Sequence, residues 1–228
     1  MPFKQGWGGH RVGAGRTKSP SSKGVHHRAR PEHKARHPVH VTLRLGRRLP
    51  SLRQQVIFSK VREAFRRSSR EWFRLVHFSV QSDHVHLLVE AHDKNSLARG
   101  MAGIAICIAR RVNALLNRRG RFWAERYHAR PLRTPREVRH AIVYIVMNWR
   151  KHSRPRAFVR PFDPYSSASW LDGWALPGKA GRSDWNHHGP SERKTCPVRP
   201  PLTWLASTGW KRWGLLGIDE RPKETAPV

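Results

Sequence analysis

The chain has 228 residues, and its 45 lysines and arginines against 15 acids give a formal net charge of +30. That length holds one ordinary domain with flanking segments, and that charge points to a polyanionic partner. A membrane span, a disulfide framework and a zinc finger are excluded: the longest uncharged apolar runs, Met101 to Ala109 and Ala141 to Met147, are too short for a bilayer, and Cys107 and Cys196 are the only cysteines.

Residues 1–36 hold nine lysines and arginines, one acid and six glycines without apolar periodicity, which reads as a disordered basic arm. The start of the chain lacks the apolar stretch of a secretory signal, so a cytoplasmic location is expected. From His37 the pattern changes. Val39, Val41, Leu43 and Leu45 alternate with His40, Thr42 and Arg44, as in a half-buried strand. After a Pro50-Ser51 break, Leu52, Val56, Ile57, Val61 and Phe65 fall on one helical face. Phe73 to Val80 is rich in strand formers, Gln81-Ser82-Asp83 is a turn, and His84 to Glu90 is the return strand of a hairpin.

Asn95 or Ser96 caps a second helix, with Leu97, Met101, Ile104, Ala105, Ile108, Val112 and Leu115 as its apolar set. Arg118-Arg119-Gly120 stops it, and Phe122 to Leu132 reads as an edge strand ending at Pro131. Thr134-Pro135-Arg136-Glu137 is a capping box with proline at the first helical position, opening a third helix to about His152. The order β-α-β-β-α-β plus one helix predicts an α+β, ferredoxin-like sheet with helices packed on one face. Such a fold names no chemistry. Residues 155–228 form a Pro/Gly/Trp-rich tail carrying six of the ten tryptophans. Indoles are costly to leave in water, so part of this tail is expected to dock on the domain or stack on bases.

Chemistry concentrates at two places. In Asp83-His84-Val85-His86-Leu87-Leu88-Val89-Glu90 the two histidines lie on one strand face, about 7 Å apart by strand rise. Such a pair is either a surface feature or two ligands of one divalent ion. On the third helix Val138, Ile142, Ile145 and Trp149 mark the core face, which leaves Tyr144 and Asn148 on its flank, one turn apart. Alone, that pair reads equally as an edge-of-core tyrosine and a helix-end amide.

The conjunction of His-x-His on a strand, Tyr-x-x-x-Asn on a late helix and a basic surface resembles the single-tyrosine HUH transposases of bacterial insertion elements and their REP-associated relatives. The resemblance runs from about His37 to Tyr165. It rests on Ser82-Asp83-His84-Val85-His86-Leu87-Leu88-Val89, on Phe122-Trp123-Ala124-Glu125-Arg126-Tyr127 and on Tyr144-Ile145-Val146-Met147-Asn148. This chain departs from the family pattern in having Trp149 after Asn148 in place of proline, and Gln81-Ser82-Asp83 before the histidines.

The resemblance implies that residues 37–154 are a catalytic domain in which His84, His86 and Asn148 hold Mg²⁺ or Mn²⁺. Tyr144 would attack a phosphodiester of single-stranded or hairpin DNA, leaving a 5′-phosphotyrosine and a free 3′-hydroxyl that a second DNA end can reverse. Arg110, Arg111, Arg126, Arg130 and Arg133 are the candidate phosphate contacts. Relatives often work as homodimers and some as monomers, so a homodimer is possible. Two rival readings stand beside this one. A non-catalytic nucleic-acid binder accounts for the charge, and a water-using nuclease would draw on Asp83, Glu90, Asp93 and Glu125.

Overall fold

The computed structural model describes residues 32–152, 162–175 and 196–222. Most of the expected basic arm, and Trp185 in the tail, lie outside the described residues. Seven elements follow in the expected order: β1 (Val39–Arg44), α1 (Gln55–Arg66), β2 (Phe73–Val80), β3 (His84–Ala91), α2 (Lys94–Leu115), β4 (His128–Pro131) and α3 (Pro135–Met147). The strands pair antiparallel in the order β2-β3-β1-β4, a ferredoxin-like α+β arrangement.

Alternation on the central strands sets the first core. Val39, Val41 and Leu43 of β1 and Val85, Leu87 and Val89 of β3 pack against Ile57, Val61 and Phe65 of α1 and Met101, Ile104 and Ile108 of α2. At Gly100 an added Cβ would lie 2.2 Å from the Phe73 ring, so α2 meets β2 at a distance that only glycine permits. Val56, expected inside, is exposed, and Phe58 takes its place in the core.

The helices do not all share one face. Whereas α1 and α2 cover the first, α3 packs on the second, against Val76, Leu88 and Leu132. A β-bulge between Leu75 and His77 turns Val76 and His77 together toward that second face, which strict alternation does not anticipate.

Three boundaries also differ. The helix cap is Asp93, whose carboxylate accepts from the Ser96 amide at 2.7 Å, so α2 begins before Asn95. The edge strand shrinks to His128–Pro131. Upstream of it Trp123 makes one isolated bridge to Leu45 and donates its indole N–H to the Ala105 carbonyl of α2. The capping box of Thr134 and Glu137 is present as expected, while α3 ends at Met147 and a short helix, Trp149–His152, follows.

The C-terminal segments close the second face. Ser167 donates its amide to Phe78, Val80 to Tyr165 and Arg199 to Leu75, which covers the outer edge of β2. Trp174, Leu205, Trp210 and Leu216 bury against α3, and Arg139 of α3 forms a forked pair with Glu220 at 2.6 and 2.9 Å. Sandwiched between sheet and tail, α3 buries Val143, Val146 and Met147 as well as the expected Val138, Ile142 and Ile145; Trp149 is only partly buried. Among the described residues no helix is long and apolar enough to cross a membrane.

Candidate active site

Directly paired residues of an antiparallel ladder share a face. His84 is paired with Arg44, His86 with Thr42 and Ser79, and Leu88 with His40 and His77. On the other side of β1, Thr42 is paired with His128 and His40 with Arg130. The second face of the sheet is therefore a polar lattice at one end and the apolar floor of α3 at the other.

Tyr144 stands where these meet. Its ring lies edge-on to His86, with centroids 4.9 Å apart, and to His40 at 5.7 Å. His84 and His86 are 4.7 Å apart and His40 and His86 are 5.3 Å apart, so four rings form one contiguous cluster within one chain. His84 and His86 thus share a face, and His86 meets Tyr144.

Each imidazole of the His-x-His pair has its Nδ1 engaged: that of His84 donates to Asp83 Oδ1 at 2.7 Å, and that of His86 lies 3.1 Å from Thr42 Oγ1. Nε2 is then the nitrogen each ring would offer a metal. The hydrogen bond from His84 holds the Asp83 carboxyl below the usual range against a smaller opposing effect of burial, helped by the charges of His84 and Arg44. Asn148 closes the end of α3, one turn beyond Tyr144; it is 1% exposed and its Nδ2 has no hydrogen-bond partner among the described residues.

Burial raises the Tyr144 phenol above its ordinary pKa. Burial, aided by the charge of Arg130, lowers His40 to about 4, so this ring is neutral at physiological pH. The other two tyrosines sit elsewhere. Tyr127 packs against the first core, and Tyr165 lies against Phe58 with the Arg53 guanidinium 4.3 Å over its ring.

The expected phosphate contacts divide by face. Arg130 lies in the ladder beside His40 and donates to Glu137 at 3.1 Å. Arg133 lines a cleft of about 440 Å³ with Lys34, Arg36 and His37, and Arg126 is exposed. Arg110 and Arg111 ride on α2, beyond the sheet from Tyr144. Arg110 is exposed, whereas Arg111 pairs with Glu63 of α1 at 3.0 Å and donates to Cys107 Sγ, which commits it to helix packing.

Of the four carboxylates that a water-using nuclease would need, Asp83 sits beside His84 but the other three do not converge on it. Asp93 caps α2, Glu125 pairs with His128, and Glu90 accepts from the amides of Leu202 and Thr203 and from the Thr203 hydroxyl. Among the described residues no three of His, Cys, Asp and Glu are grouped to hold a metal. Missed at the level of sequence were His40 and Thr42, while Asp83, named there as a nuclease carboxylate, accepts from His84 Nδ1 instead. Alternation on the first strand places His40 and Thr42 on the polar face, but only the register sets them beside His86 and Tyr144.

Residues 33–148 match the family model described as "Transposase IS200 like". Among solved structures, one described as "Structure of the REP associates tyrosine transposase bound to a REP hairpin" is 18% identical, with a TM-score of 0.50 over 63% of this chain and 82% of that chain. At that identity the likeness is one of fold. No curated protein matches.

Proposed function

The chain belongs to the IS200-like transposase family, and from that membership we propose that it cuts and rejoins single-stranded DNA beside a hairpin, with Tyr144 as the nucleophile. The observation that carries this reading is the edge-on contact of Tyr144 with His86 and His40, next to His84, inside one chain. The Tyr144 oxygen forms a bond to phosphorus as the bond to the 3′-oxygen breaks. The phenol proton is lost and the departing 3′-oxygen gains one, so a 5′-phosphotyrosine and a 3′-hydroxyl result. Attack by another 3′-hydroxyl reverses the step and joins a new end. The ester is exchanged rather than hydrolysed, and no nucleotide cofactor is needed.

Two imidazoles with Nδ1 already engaged, leaving Nε2 to face a cation, and a buried amide one helical turn beyond Tyr144 are the donor types that suit a divalent-ion site made of His84, His86 and the Asn148 side-chain oxygen. Mg²⁺ or Mn²⁺ held there would act as a Lewis acid on the scissile phosphate. The chain's own residues do the rest. Asp83 and Thr42 orient the two histidines, α3 presents the phenol over them, and Arg130 and Arg133 attract the strand.

The test is incubation of the protein with a single-stranded hairpin oligonucleotide and Mn²⁺ or Mg²⁺, resolved on a denaturing gel. A covalent protein–DNA adduct with release of a 3′-hydroxyl strand is expected. Cleavage without an adduct hands the reaction to water, and tight binding without cleavage makes the protein a binder only; either outcome overturns the reading.

A further inference from the structure

The C-terminal segment carries aromatic surface that strand cleavage does not use. Trp204 and Trp213 are 49% and 55% exposed, while Trp210 between them is 1% exposed and anchors the segment against α3. Each exposed indole lies beside a guanidinium: Arg212 is 5.0 Å from the centre of the Trp204 ring and Arg136 is 5.4 Å from that of Trp213. The Trp204 ring rests on Gly209, where an added Cβ would come within 2.8 Å, so its plane is set by close approach to the backbone. Neither Arg136 nor Arg212 is paired with a carboxylate among the described residues. Leu202, 68% exposed, lies two residues before Trp204.

Two indoles held half in water oppose the hydrophobic effect unless a partner covers them. The adjoining arginines select the partner. A surface that presents a π face and a positive charge together suits a chain whose flat bases alternate with phosphates. A second copy of a chain of charge +30 would instead bring arginine against arginine. The place is also suitable. Arg136 lies in the first turn of α3, three residues after Arg133 of the basic cleft, and Tyr144 is eight residues further along, about 12 Å at 1.5 Å per residue.

We propose that Trp204 and Trp213, with Arg212 and Arg136, form a stacking platform for unpaired bases of the DNA strand that runs toward Tyr144. This rests on the reading that the protein handles single-stranded DNA, and it adds a base-contacting subsite whose Trp204, Arg212 and Trp213 lie beyond the segment that matches the family model, with only Arg136 inside it.

The experiment compares oligo(dT) with an abasic oligonucleotide of the same length, using the full chain at a salt concentration that weakens phosphate attraction. The wild type should bind oligo(dT) at least about tenfold more tightly than the abasic strand, because each base stacked on an indole tightens binding by roughly tenfold. The Trp204→Ala/Trp213→Ala variant should lose that preference while keeping its affinity for the abasic strand, and the corresponding double Phe variant should recover much of it. Equal wild-type affinity for both strands, or an unchanged preference in the alanine variant, overturns the platform. So does a concentration-dependent mass that disappears on substitution, which would make the patch a contact between copies. Should the alanine pair lower the unfolding midpoint, Trp213→Ala alone decides, since that ring packs on no glycine. Adduct formation is scored separately, so a lost nucleophile and a lost platform give different results.

Discussion

Tyr144 acts in the proposed reaction through one oxygen, whereas its ring is what touches His86 and His40. Tyr144→Phe deletes the oxygen and keeps the ring. Cleavage and adduct should fall by several orders of magnitude on a denaturing gel, while hairpin affinity stays within a few fold and the melting temperature hardly moves. An adduct with the Phe variant would show the nucleophile to be misassigned. His77 belongs to stability, not to the site. It is buried beneath the tail, 3.1 Å from Ser167 Oγ, and burial lowers it to about 4 from 6.5. The unfolded chain therefore takes up a proton before the folded one does. The stability His77 contributes is complete above about pH 6.5 and is lost as pH falls toward 4. The loss is on the order of 3 kcal/mol. Urea unfolding at pH 7 and pH 4.5 should show it, and His77→Gln should flatten the slope between them.

At the scale of elements, the helices were readable in proportion to how one-sided they are. Of the apolar stripe of α2, Leu97, Met101, Ile104, Ile108 and Val112 are buried and Ala105 partly so, whereas Leu115 at its last turn is exposed. Along α3 the stripe understates burial, because tail residues cover the side away from the sheet. Gly100 shows propensity yielding to packing. Alanine at a helix interior normally gains about 1 kcal/mol over glycine, yet here its Cβ would sit 2.2 Å from Phe73. Overpacking of that kind costs roughly 1–3 kcal/mol. Gly100→Ala should therefore destabilise, by up to about 2 kcal/mol net in chemical denaturation. A stabilised variant would mean that α2 shifts freely on the sheet.

The whole molecule joins a two-faced sheet to a strongly basic exterior. If about six phosphates are neutralised on binding, affinity for single strands should fall with a log–log salt slope of roughly −4. A slope near zero would remove the electrostatic account of the +30 charge. The tail completes the fold as well as carrying the exposed tryptophans. It supplies Trp174, Leu205, Trp210 and Leu216 to the second core and covers the β2 edge through Tyr165, Ser167 and Arg199. Truncation after Arg154 should expose that edge and the apolar side of α3 together, giving aggregated protein in size-exclusion chromatography. A soluble, monomeric truncation with an unchanged melting temperature would contradict this.

Local rules in the sequence determined the order of elements, the hairpin, the capping box and the common face of His84 and His86, since each depends on residues a few positions apart. The same spacing set Tyr144 one turn from Asn148. Tertiary structure alone decided which strand positions meet across the ladder, and hence that His40 and Thr42 join His86 beside Tyr144. It also decided that α3 takes the second face, that a bulge turns Val76 and His77 toward it, and that Arg111 is absorbed by Glu63. Register and the choice of face are settled by burial summed over the whole core. No window of a single chain segment contains that sum.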